Sequence, residues 1–346
     1  DSTVEGIEWR YDNRRRLAKV TSQGPSAVGA VNEVELEYNE FNQLVTDAQT
    51  HSFESNAPTL RVEYGYENAA NRNTIRRTSM TYPEGTPLEY EYIGMENHFS
   101  RVSQLRRGTV MAAYSHLGGH EVISVNYPLL SDMVRYDLLH EDALDRFDRV
   151  HRARWRRTDT GDDVDHVSLK YGYDYASNRT YRRDDKARES SGGLDELYGH
   201  DRLHRLRGLQ RGDLDANNEQ ITNPTLGQDW GLDESGNWTS FEQSVSDPMQ
   251  QTRTHDRDNQ IATIVPPPNP LHDSNGNMTL IPERPGDPGS TDQYFEATYD
   301  AWNRLVAIDR DGGSTPVARY EYDGLNRRTV KVTYASGAVA EKRHYY

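Results

Sequence analysis

Carboxylates are the most frequent reactive groups in this sequence. Adjacent pairs such as Asp162-Asp163 and Asp184-Asp185 are the side chains that glycoside hydrolysis uses as acid, base or nucleophile. Asp213-x-Asp215-x-Asn217 imitates the opening of a calcium loop. Asn218, however, stands where that loop needs glycine, and Pro224 where it needs a bidentate Glu. Asp273-x-Asn275-x-Asn277 departs from the loop in a similar way. The 12 His include no pair at zinc-ligand spacing. With no cysteine there is no thiolate nucleophile, thiolate metal site or disulfide. Nucleophile-elbow, phosphate-loop and dinucleotide motifs are absent. The run Arg152 to Arg157 (RARWRR), with Trp155 inside it, has the composition to stack against an acidic polymer. A solvated strand face paired with the acidic stretch Asp159 to Asp165 is the favoured reading. Asn178, Asn237 and Asn277 each open a glycosylation sequon. No catalytic, cofactor-binding or metal-ligating residue is assigned.

The chain that must position these groups has 346 residues, with 40 Lys plus Arg against 55 Asp plus Glu, a net charge of -15. Its aliphatic content is low, a compositional sign of disorder. Against that, it carries 22 Tyr and 5 Trp, and aromatic residues pack well on a pleated sheet. The mean hydropathy is -0.96, and no apolar run is long enough for a transmembrane helix. The acidic balance argues against general binding of nucleic acid or anionic membrane. Among the basic residues only 5 are Lys, and Arg has the planar fork suited to tying turns and carboxylates together. The chain opens at Asp1 without a visible signal peptide and reads as a processed piece of a larger protein.

Two short patterns recur, and repeats decide the fold. Tyr-Asp-x-x-small-Asn-Arg occurs at Tyr66 (YENAANR) and Tyr173 (YDYASNR), with weaker copies at Leu232 (LDESGNW) and His272 (HDSNGNM). All four keep an Asn at the sixth place, Asn71, Asn178, Asn237 and Asn277. Tyr-Asp-x-x-Asn-Arg-Leu occurs at Tyr11 (YDNRRRL), Tyr38 (YNEFNQL), His200 (HDRLHRL), His255 (HDRDNQI), Tyr299 (YDAWNRL) and Tyr322 (YDGLNRR). Degenerate copies stand at Glu96 (ENHFSRV) and Glu141 (EDALDRF). The copies begin at 11, 38, 66, 96, 141, 173, 200, 232, 255, 272, 299 and 322, a mean spacing near 28.

The physics of one unit follows from its residues. Tyrosines two apart, as in Tyr171-Gly172-Tyr173 and Tyr320-Glu321-Tyr322, share one face of a strand. The Asp opens a turn by accepting a backbone N–H two residues on. An Asn or Gly three or four places later takes the left-handed conformation that closes a type I turn with a bulge. Arg-Leu then starts the returning strand, with Leu17, Leu44, Leu206 or Leu305 turned inward. Each unit therefore predicts a β-hairpin, and hairpins need neighbours to be stable. The apolar stretch from Gly108 to Pro128 predicts an extra hairpin with a decayed motif. Pro266 to Pro270 and Pro282 to Pro288 predict loops, because proline cannot donate to a ladder. No helical periodicity exceeds about two turns.

These alternating units resemble the YD-repeat, or RHS-repeat, proteins of bacterial surfaces and secreted toxins, with related repeats in animal teneurins. The resemblance covers residues 11 to 328. It implies hairpins paired into one long sheet that spirals into a hollow shell able to hold a toxin polypeptide. In that family the core ends in a stretch that plugs the shell and can release the toxin through paired aspartates. Such a stretch is not found before His344-Tyr345-Tyr346. Copies 96 and 141 depart from the pattern by placing Glu where Tyr should lead.

The expectation is an all-β chain, residues 1–346 as a single repeat segment of one continuous curled antiparallel sheet, closed so as to cover its edges. A β-propeller with two repeats per blade is the alternative. The expected role is non-enzymatic: wall of a shell that encloses or presents a polypeptide. Its partners would be the rest of its own larger polypeptide and an enclosed C-terminal polypeptide, with no nucleic acid and no membrane span. The expected location is secreted or cell-surface. A surface module that binds glycan or protein is the second reading, and a carbohydrate-active enzyme the third.

Overall fold

The computed structural model describes residues 4–25, 29–50, 59–67, 75–119, 121–130, 134–157, 164–190, 192–283, 294–310 and 312–345. Nearly every element among them is a β-strand, and every strand pairing is antiparallel. The chain divides into two compact units, one made of residues 1–89 and 267–346, the other of residues 90–266. The second boundary falls inside the proline run Pro266 to Pro268.

In the first unit the strands Gly6–Tyr11, Leu17–Gln23, Ala30–Tyr38, Leu44–Thr50, Leu60–Tyr66 and Arg77–Thr81 each pair with their chain neighbours. The later part of this unit is a seven-stranded sheet running from Leu271–His272 to Ala338–His344. Seven strands in unbroken chain order exceed a four-stranded propeller blade, which removes the propeller alternative. The sheet is not closed onto itself, contrary to the expected closure. Its last strand, Ala338–His344, pairs with Arg328–Ala335 and is exposed throughout. Glu341, Lys342 and Arg343 on that edge supply the charges that discourage edge-to-edge association.

The second unit runs the same way. Thr109–Leu117 and Glu121–Tyr127 form the extra hairpin expected from Gly108 to Pro128, and Gln104–Arg107 pairs with its first strand. Val134–Asp137, Arg152–Arg157, Val164–Tyr173 and Arg179–Asp184 follow, and the order continues to Ile261–Val265.

Little aliphatic surface is buried, as the composition predicts. Val20, Val34, Ala48 and Val62 are buried in the first unit. In the second, Leu138, Ala143 and Ala153 gather under Tyr136, Trp155 and Tyr171, with the Tyr136 and Trp155 rings 4.7 Å apart. Aromatic rings therefore do the work that leucine does elsewhere. Many polar side chains are buried beside them, including Asn32, Asp137, Asp195 and Asp323.

Two expectations meet a different local structure. Glu96 lies in a short helix, Met95–Phe99, rather than in a hairpin turn. At 141 the turn is displaced by three residues, so that Asp145, not Asp142, takes the turn-opening role. The copy at Tyr66 ends in residues 68–74, outside the described residues, as do Asp159, Asp162, Asp163 and most of Pro282 to Pro288.

Candidate functional site

The feature that recurs across both units is the turn between paired strands. Asp300 shows its full form. One carboxylate oxygen accepts the backbone N–H groups of Trp302 (2.9 Å) and Arg304 (3.0 Å). The other accepts Arg304 Nε at 2.7 Å. The backbone closes with Asn303 N–H on the Asp300 carbonyl, and Asp300 N–H on the Arg304 carbonyl. Asn303 is left-handed, with φ 59°. This is a type I turn followed by a left-handed residue, locked by a chelated carboxylate.

The same construction appears at Asp12, Asp145, Asp201 and Asp323, each carboxylate holding an Arg Nε four residues on at 2.7 Å. At Asp174, Asp233 and Asp273 the fourth residue is Asn. Its side-chain amide takes the place of the guanidinium, at 2.7, 3.0 and 2.9 Å. The two sequence patterns are thus one turn. The left-handed place is the fifth in both, filled by Arg15, Asn42, His204, Asn259, Asn303 and Asn326 in one pattern and by Ser177, Gly236 and Gly276 in the other. The sixth place is the clamp, Arg or Asn, except in the copies at Tyr38 and His255, where it is Gln43 and Gln260; Gln43 Oε1 accepts from Asn39 Nδ2 at 2.6 Å.

Seven of these clamps also reach the next turn. Arg16 donates to the Asn39 carbonyl (3.1 Å), Arg149 to that of Asp174 (3.1 Å), Arg205 to that of Asp233 (2.8 Å) and Arg304 to that of Asp323 (2.9 Å). The Asn clamps bond side chain to side chain: Asn178 to His204 (2.9 Å), Asn237 to Asn259 (3.0 Å) and Asn277 to Asn303 (2.9 Å). The amide nitrogen of each sequon asparagine is therefore engaged twice, once with its own Asp and once with the next turn. In the second unit these links run unbroken through the turns at Asp145, Asp174, Asp201, Asp233 and Asp256.

Tyrosine at the first place completes the link. Its hydroxyl donates to the carbonyl of the seventh residue of the preceding repeat: Tyr38 to Leu17, Tyr66 to Leu44, Tyr173 to Val150, Tyr299 to Met278 and Tyr322 to Leu305, at 2.8–3.1 Å. The clamp Arg of that preceding repeat lies on the same ring, Arg16 over Tyr38 at 4.7 Å and Arg149 over Tyr173 at 4.5 Å. Where this Tyr is missing, the arrangement fails locally. Leu232 follows the turn at Asp201, and Leu206, expected inward, is exposed. Leu17, Leu44 and Leu305, each covered by a Tyr, are half-buried.

The electrostatics follow the donors. The backbone amide and side chain of Arg16 hold the Asp12 carboxyl below its usual range, and those of Arg205 do the same for Asp201. The Asn amides are the leading cause of the same lowering at Asp174, Asp233 and Asp273. At Asp145 desolvation opposes the shift. The Arg149 side chain and the amides of Phe147 and Arg149 still bring the carboxyl down to about 2.

One clamp does more. Arg327 holds Asp323 and also Asp47, 280 residues away in sequence, at 2.5 Å. Burial opposes its charge, but Asp47 and Asp323 keep its pKa above the ordinary arginine value. Asn32 Nδ2 donates to the Tyr322 carbonyl at 2.7 Å beside it. Gly324 lies so close that an added Cβ would stand 2.3 Å from Val20 Cγ1. The turn at Asp323 thereby fastens the two halves of the first unit, and its carboxylate is buried.

The residues singled out for chemistry have other partners. Asp184 accepts the Ala187 N–H of the short helix Asp185–Ser190, and Asp185 pairs with Arg183 and Arg152. Asp213 accepts the Gly193 N–H at 2.6 Å beside an open cleft of about 510 Å³, and Asp215 opens a hairpin tip. The Arg152–Arg157 strand pairs with Val164–Tyr173, and Arg154 and Arg156 bridge to Asp165, the strand-face reading of that run. Among the described residues no group of three His, Asp or Glu is placed to hold a metal ion. Sequence reasoning missed Asp145. Its signal was the Asp-x-x-Asp-Arg spacing, hidden three residues downstream of the assigned start.

Comparison with known proteins bears on the repeat and the fold. Residues 299–339 match the family model described as RHS Repeat. No curated protein matches the chain. Among solved structures, "Crystal Structure of TcdB2-TccC3-TEV" is similar with a TM-score of 0.62 at 14% identity, covering 98% of this chain and 19% of that one. "Crystal Structure of TcdB2-TccC3 without hypervariable C-terminal region" and "Crystal Structure of TcdB2-TccC3-Cdc42" each give 0.58 at 14% identity with the same coverage. The chain spans about a fifth of the length of those structures. It carries an RHS repeat in sequence, and over almost its whole length it has a fold similar to that of TcdB2-TccC3.

Proposed function

We propose that this chain is a wall segment of an RHS-type shell, part of a larger polypeptide, whose role is to enclose a polypeptide cargo rather than to catalyse a reaction. The observation that carries the reading is the ladder of clamped turns. From the turn at Asp145 to that at Asp256, each hairpin is fixed to the next by backbone pairing and again by an Arg or Asn clamp. Such a wall gains rigidity without a large aliphatic core, in keeping with how little aliphatic surface is buried. The coverage of 98% of this chain against 19% of TcdB2-TccC3 supports a segment within a longer wall. The turn carboxylates, such as Asp300 and Asp174, are held by backbone amides and by guanidinium or amide side chains, which supports a structural role. No helix among the described residues is long and apolar enough to cross a membrane, and we place the protein outside the cell or on its surface.

Limited proteolysis of the full-length polypeptide, read by intact mass, tests this. Under native conditions a separate segment should stay associated and protected, and it should be digested once the shell is unfolded. Immediate digestion of every segment outside the repeat wall contradicts enclosure and turns attention to surface recognition.

A further inference from the structure

Three cations lie side by side in register across neighbouring strands of the second unit. Arg152 on Arg152–Arg157 is directly opposite Lys170 on Val164–Tyr173, and Lys170 is directly opposite Arg183 on Arg179–Asp184. Directly opposed like charges disfavour a sheet. A chain with net charge -15 and only 5 lysines has no shortage of carboxylates for such a row.

Local carboxylates answer the two arginines and stop there. Arg152 Nε is 3.1 Å from Asp142, and its terminal nitrogen is 3.4 Å from Asp185. Arg183 Nε donates to Asp185 at 2.7 Å. Asp142 is shared further with His140 and Arg154, and Asp185 already serves both arginines of the row. The half-buried Lys170 ammonium makes no hydrogen bond or ion pair among the described residues. Burial, then Arg152 and Arg183, lower its pKa, and Asp142 and Asp185 oppose them only from a distance. Along its own strand Lys170 is followed by Gly172, where an added Cβ would come within 2.1 Å of the Tyr181 ring. That ring occupies the space beside the row.

We propose that Arg152, Lys170 and Arg183 form a binding site for a multi-oxygen anion, a sulfate or phosphate group. The anion sits over the central ammonium and takes guanidinium N–H donors from either side. Two flanking forks around a point charge match the several oxygens of such a group. It also relieves the mutual repulsion of the row. The site is independent of the shell reading, because it needs only these three strands.

The test is the melting temperature of the full chain against added sulfate or phosphate, with ionic strength held constant by chloride. The wild type should show a saturable rise. Lys170→Met keeps the apolar stem and removes the charge. It should melt higher than wild type in chloride and lose the sulfate response, while Lys170→Arg retains it. Lys170→Gln carries the same expectation as Lys170→Met and stands in if that variant does not fold. No saturable rise in the wild type, or an equal rise in the uncharged variants, overturns the site. A sulfated oligosaccharide separates the sources of the anion. A lower midpoint per sulfate group than free sulfate assigns the site to a polymer-borne group, and an equal midpoint to the free ion; either supports the site.

Discussion

The turns at Asp273 and Asp300 follow one another in the chain and share one backbone, yet different side chains close them. At Asp273 the clamp is Asn277, a short amide that bonds Asp273 and then the side chain of Asn303. At Asp300 it is Arg304, which bonds Asp300, reaches the Asp323 carbonyl and lies over the Trp302 and Tyr322 rings. Arg304 is 8% exposed. The short clamp shapes a turn and touches the next one. The long clamp shapes a turn, holds the next one by its backbone and carries ring contacts that stand in for a core. The mean spacing of the repeats is common to both, so reach, rather than turn geometry, separates them.

Acid should act on both kinds of turn at once and have the largest effect. Carboxyl groups held below their unfolded value of about 3.9 give stability that is full above that pH and falls as they protonate. The lowering at Asp12, Asp174, Asp201, Asp233 and Asp273, and at Asp145 to about 2, places the loss below about pH 4. Sheet content followed by circular dichroism should hold down to about that pH and then fall towards pH 2. The midpoint of urea unfolding should be level from pH 5 to 7 as far as these groups decide it.

Among single changes, Arg304→Ala is expected to cost most, about 3 kcal/mol in urea unfolding, because it strands a carboxylate and a carbonyl in a mostly buried place. Gly324→Ala, which forces a Cβ against Val20, should cost about 2 kcal/mol. Asn277→Ala should cost about 1 kcal/mol, since a neutral amide is lost at a more exposed turn. A cost for Asn277→Ala equal to that for Arg304→Ala would remove the distinction between the two clamps. The smallest effect has the opposite sign. Leu232→Tyr should supply the missing hydroxyl for the Leu206 carbonyl and stabilise by about 0.5–1 kcal/mol.

The hairpins and their turns were legible because the turn chemistry is local. Asp, a left-handed Asn or Gly, and the returning Arg fall within five residues of one another, so spacing alone reveals them. The clamp's second bond was not legible. Arg149 and Ser177 lie 28 residues apart, and only pairing of the strands brings them together. The two patterns looked distinct because Asn occupies the fifth place in one and the sixth in the other, doing different work in each. The exposed Leu206 follows from a residue one repeat later, Leu232, which nothing near Leu206 announces. The fastening of Asp323 to Asp47 is further out of reach, since Arg327 looks like every other clamp until residue 47 is beside it. Glu96 and Glu141 misled for a simpler reason: the charge pattern was kept without the leading Tyr, and the chain there makes a helix or moves its turn.

Hydrogen exchange of the Arg205→Ala variant, resolved by peptide, tests the central claim that the clamps join hairpins into one cooperative wall. The Arg205 guanidinium holds its own turn through Asp201 and the next through the Asp233 carbonyl. The account predicts that amides of the strands flanking Asp201 and those flanking Asp233 lose protection together. Loss confined to the hairpin at Asp201, with the hairpin at Asp233 unchanged, would contradict it.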